Sequence, residues 1–245
     1  MVDPIITPGV ALVGTGTWFA NKLLGPSADA LGSQIKSFAT ERLKKIFKKA
    51  EELSAGKDMV PIPAGFALTA LQKASFSEDD DTLTVMWANL LLDATQGCTS
   101  RHSLFSDILS QIGPLEAKAL DEFSPFPKRG FSQSEVDAIL SASIKGYDSA
   151  YDDKDAVVYN LKKRVSGCPL VMLYASVFNV GIDGPPIKYS INFELDQIVF
   201  EVLQRQNLVN FFSTDSSNGL IAVSVKGFIL TELGSEFLVT CKGQP

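Results

Sequence analysis

"SFSEDDDTLTVMWANLLLDAT", residues 75–95, sets four consecutive acids ahead of an apolar segment that carries one of the chain's two tryptophans. Two readings compete for it, a carboxylate cluster for a divalent metal and the start of a buried helix. Ser77 is a favourable N-cap, and Glu78, Asp79, Asp80 and Asp81 then fill a first turn, where acids meet the positive end of the helix dipole. Leu83, Trp87, Leu90, Leu91 and Ala94 follow at helical spacing, which puts the tryptophan on the buried face. Four consecutive acids on a helix diverge, whereas a hard cation needs oxygen ligands converging from several segments. The sequence offers no second acidic cluster and a single histidine. The helix start is therefore preferred, and no metal, cofactor or catalytic residue is assigned.

Upstream, residues 26–54 form one apolar stripe, with Leu31, Ile35, Phe38, Leu43, Ile46, Ala50 and Leu53 at spacings mostly of three and four. Unbroken, that helix would be about 43 Å long. Its other face holds Lys36, Arg42, Lys44, Lys45, Lys48 and Lys49. Such a face is either simply solvated or a surface for phosphate or lipid headgroups, and it is the candidate interaction surface. Before it lies an uncharged run, residues 4–21, interrupted by Pro8, Gly9, Gly14 and Gly16. At about 20 residues needed to span, the run is short for a membrane helix. It reads as an apolar arm packed on the protein or a partner subunit, with conditional membrane insertion as the second reading.

Downstream, "TQGCTSRHS" (residues 95–103) has loop composition, and a domain boundary is expected there, giving a helical domain over residues 1–97 and a second over 98–245. His102, the only histidine, falls in that loop, where it is expected to have no catalytic role because no orienting partner is evident. Ser132 and Glu135 fit a capping box that starts another helix, and "DDKDAVVYNLKKRV" (residues 152–165) reads as a charged amphipathic helix. The apolar segment from residue 168 is not assignable by period, and the fold of residues 168–190 stays open. "NFELDQIVFEVLQRQ" is helical, "LVNFF" and "LIAVSV" read as a hairpin, and Thr231 caps a last helix. The expected fold is mainly α: an N-terminal helical domain with a long amphipathic helix, then a C-terminal winged-helix-like α+β domain with a β-hairpin. Its candidate recognition helix carries Glu194, Asp196 and Glu201 against Arg205, so specific binding of duplex DNA is not expected.

The whole chain agrees with those local readings. Over 245 residues, 45% apolar and 20% charged composition is that of a folded globular protein. The net charge of −6 disfavours a surface that tracks phosphates throughout. Cys98, Cys168 and Cys241 are widely spaced, which indicates neither a disulfide framework nor a zinc site and fits a reducing cytoplasm. No basic segment precedes the N-terminal apolar run as a secretory signal would require.

"LLGPSADALGSQI", the basic helix, "EDDDTLTVMWANLLLDAT", "SDILSQIGPLEAKALDEF" and "LVNFF…LTELGSEFLVTC" occur in an order that resembles the bacterial abortive-infection alpha (Abi-alpha) family. The resemblance runs over residues 23–241, with Trp87, Asn89, Leu90 and residues 113–118 its most specific parts and residues 140–190 its least. It implies a role in limiting phage growth and carries no enzymatic activity or active-site residues. Two expectations follow. One is a non-enzymatic cytoplasmic defence protein that binds a phage or host protein or forms a homo-oligomer. The other is an effector that associates with an anionic membrane when activated, through the apolar arm and the basic helix. A DNA-binding regulator and a metal-dependent nuclease rank below both.

Overall fold

The computed structural model describes residues 22–23, 41–55, 58–123, 129–130, 132–144, 159, 163, 170–179, 187–190, 197–217 and 221–243. The apolar arm, Lys36 and the rest of residues 24–40, and all but two positions of the helix expected over residues 152–165, lie outside them.

The described chain is mainly helical, with one antiparallel sheet. In order it runs α1 (Glu41–Leu53), α2 (Ala64–Phe76), α3 (Asp81–Gly97), α4 (Ser100–Leu109), α5 (Pro114–Ala119) and a 3-10 turn (Leu120–Phe123). Then come α6 (Gln133–Ile144), β1 (Leu170–Asn179), β2 (Ile187–Ser190), α7 (Gln197–Arg205), β3 (Val209–Ser217), β4 (Ile221–Leu230) and α8 (Glu232–Lys242). Packing divides it into two compact units: residues 1–117 with 240–245, and residues 118–239.

The first unit is built on the apolar stripes read above. α1 buries Leu43, Ile46, Phe47 and Ala50 on one side, and α3 buries Leu83, Trp87, Leu90, Leu91 and Ala94. Trp87 is fully enclosed, as its place on the stripe requires. The start of α3 differs from expectation. Asp80, extended at φ −127°, is the N-cap and accepts a hydrogen bond from the Leu83 N–H at 3.0 Å. Ser77 instead ends α2, its hydroxyl donating to the Ala74 carbonyl at 2.8 Å. Ser and Asp are both good caps, so a run of candidates leaves the choice to tertiary contacts.

The expected loop at residues 95–103 is also corrected. α3 continues to Gly97, and α4 begins at Ser100. Thr99 is the N-cap of α4, and His102 takes the position that Glu or Gln fills in a usual capping box, with Nδ1 accepting the Thr99 backbone N–H at 2.9 Å. His102 is thus a buried helix residue, not a loop one.

In the second unit the strand order is β2-β1-β4-β3, antiparallel throughout. β3 and β4 are the expected hairpin, paired without a register break from Val209↔Leu230 to Ser217↔Ala222. The segment that periodicity left open contains β1, a central strand. One face of the sheet is apolar and buried, with Met172, Ala175, Val177, Phe212, Val223 and Val225. On the other, Phe200 of α7 stacks on Phe228 at 4.7 Å, while Ser213 and Lys226 are exposed. The second face is thus covered by α7 at one end, over buried Phe228, and solvated at the other. Gly227 is required where β4 meets the bulge between Met172 and Tyr174, since a Cβ there would fall on the Val171 carbonyl oxygen.

Two sequence-predicted caps are present in this unit. Ser132 donates its N–H to Glu135 Oε2 at 2.9 Å and its Oγ accepts from the Glu135 N–H at 3.4 Å, which starts α6. Thr231 Oγ1 accepts from the Gly234 N–H at 2.9 Å, which starts α8.

Candidate functional site

The polar side of α1 is the candidate surface, and the structure separates its cations. Arg42 follows the helix period onto the boundary of the apolar stripe beside Leu43, and is 6% exposed. Its Nε donates to Ser77 Oγ at 3.2 Å and its Nη1 to the Asp80 carbonyl at 3.3 Å and to Thr84 Oγ1, with Asp79 Oδ1 at 3.4 Å as ion partner. Burial lowers the Arg42 pKa, and Asp79 and Asp80 oppose that shift. A guanidinium stays charged through such a perturbation and supplies a planar fork of donors that an ammonium cannot. Arg42 is therefore a packing residue that ties α1 to the start of α3.

Lys45 reaches the same turn and pairs with Asp79 Oδ2. That hydrogen bond is the largest cause of a lowered Asp79 pKa. Lys44 pairs with Glu41 at 2.6 Å and Lys49 with Glu52 at 3.2 Å, each three positions away on the helix. Lys48 is exposed and forms no ion pair among the described residues. The five cations of α1 thus face Glu41, Glu51 and Glu52 of the same helix and the docked Asp79, leaving one net positive charge. Exposed pairs of this kind contribute little to stability, but they cancel much of the field beyond about one Debye length, roughly 8 Å at physiological salt.

The acids of residues 78–81 are likewise accounted for locally. Asp80 caps α3, and Asp79 holds Arg42 and Lys45. No group of three or more His, Cys, Asp or Glu side chains is arranged to hold a metal ion among the described residues.

His102 has partners that its sequence neighbourhood concealed. Its Nε2 lies 3.0 Å from Asp93 Oδ2, its Nδ1 lies 3.1 Å from Thr99 Oγ1, and its ring meets Phe66 edge-on at 6.1 Å. The row of hydroxyl, imidazole and carboxylate resembles a nucleophile with its base. However, the Nδ1 lone pair that a base would use already accepts the Thr99 backbone N–H. With Nδ1 as acceptor, the proton resides on Nε2 and is donated to Asp93. The group is built as a cap.

Cys98 and Cys241 are both free thiols, and burial pushes both pKa values up. Neither is in the electropositive setting that makes a reactive thiolate. On α7, Glu201 and Arg205 are exposed, while Glu194 and Asp196 lie outside the described residues. No helix among the described residues is long and apolar enough to cross a membrane.

The residues that sequence reasoning missed are Thr84 and Asp79, as the receptor for Arg42. The available signal was the single arginine among lysines, placed next to a stripe leucine.

A family model described as abortive infection alpha matches residues 34–241, spanning both α1 and the last helix. The chain belongs to the abortive infection alpha family. Membership assigns it to abortive infection, a form of anti-phage defence. No curated protein and no solved structure matches it. In this abortive infection alpha chain the α1–α3 contact and the hairpin both lie inside the matched span.

Proposed function

We propose that this abortive infection alpha protein limits phage growth without catalysis, by binding a phage or host protein or by oligomerising in the cytoplasm. The observation that carries the reading is the charge compensation of α1. Of its cations, Arg42 is committed to the interior, three lysines have acidic partners, and Lys48 alone is exposed without one among the described residues. Each basic residue near an anionic leaflet contributes about 1 kcal/mol to adsorption, so the described part of the face, with one net positive charge, is a weak membrane anchor. A surface of alternating charges suits a protein partner, where complementarity sets specificity and on-rate. The hairpin and the helix before it are compatible with a winged-helix-like domain used for protein contact, and exposed Glu201 on that helix disfavours duplex DNA as its ligand.

The membrane-acting alternative retains Lys44, Lys48 and Lys49 as its headgroup contacts. Replacing these three with glutamate leaves Arg42 and Lys45 in place to hold the fold. A folded variant that protects fully against phage supports the interaction reading. Joint loss of protection and of binding to anionic vesicles supports the membrane effector instead.

A further inference from the structure

We draw no further inference here: the strongest candidate, the exposed apolar side chains of Phe76 at the end of α2 and Leu115 in the first turn of α5, carries nothing because nothing among the described residues joins the two into one face or shows what covers them.

Discussion

Arg42 donates a hydrogen bond from Nη1 to Thr84 Oγ1, although the two residues are 42 positions apart, and Thr84 passes its own proton to the Asp80 carbonyl at 2.6 Å. The first described turn of α1 is thereby fixed to the first turn of α3. Removing Arg42 takes a charged donor away from Ser77, the Asp80 carbonyl and Thr84 together. Arg42→Ala should destabilise the protein by about 2 kcal/mol, the scale of a hydrogen bond to a charged group. Arg42→Lys should recover little of it, because one ammonium cannot reach Ser77, Asp80 and Thr84 in the planar arrangement of the guanidinium. Asp79→Asn should cost less than Arg42→Ala, since Asp79 is 58% exposed. Urea denaturation of the three variants gives the order.

Trp87 tests the core reading. It has no exposed surface, and its indole Nε1 has no hydrogen-bond partner among the described residues. Trp87→Ala should cost about 3–5 kcal/mol as a buried large-to-small change. Trp87→Phe should cost much less, because it removes an unpaired donor together with the lost ring volume. Equal losses in the two variants would show that the N–H is satisfied.

A methyl group at Gly227 or Gly234 meets backbone, not a movable side chain. The Cβ would fall on the Val171 carbonyl in the first case and on the Leu208 carbonyl in the second. Gly227→Ala and Gly234→Ala should each destabilise by about 1–3 kcal/mol, the usual scale of overpacking. Gly65→Ala, with open space around its Cβ, serves as the control and should melt like wild type or slightly higher.

Glu135 gives a pH signature. Its pKa is lowered from 4.5 to about 2, first by the hydrogen bond from Arg129 and then by those from Ser132. A folded pKa below the unfolded one means that the unfolded chain takes up the proton first on acidification. The contribution is fully present above about pH 4.5 and is lost as pH falls towards 2. Glu135→Gln should lower the melting temperature at neutral pH, and the gap to wild type should close over that window. A gap independent of pH would contradict the assignment.

These results also show where the sequence was informative. The Ser132–Glu135 box, the Thr231 cap, the β3–β4 hairpin and the burial of Trp87 are legible because each depends on residues within a few positions or on one clean period. β1 was not legible. It is a central strand whose alternation is broken by the bulge after Met172, so its apolar residues fit no single period. The start of α3 was misplaced because "SEDDD" offers several caps, and sequence cannot weigh the distant contacts of Ser77 with the Arg42 side chain. His102 looked like a loop residue because its partner, Asp93, belongs to the preceding helix. The basic face looked strongly cationic since helical period reveals which residues share a side, and says nothing of the acid that Lys45 meets from the turn before α3.

The central claim is that protection comes from protein contact and not from attack on the membrane. A potential-sensitive dye in infected cells expressing the protein, read at intervals up to lysis, tests this most directly. The account predicts that phage yield falls while the membrane potential matches that of infected cells lacking the protein. An early collapse of potential in cells with the wild-type chain, abolished by Lys44, Lys48 and Lys49 replaced with glutamate, would contradict it.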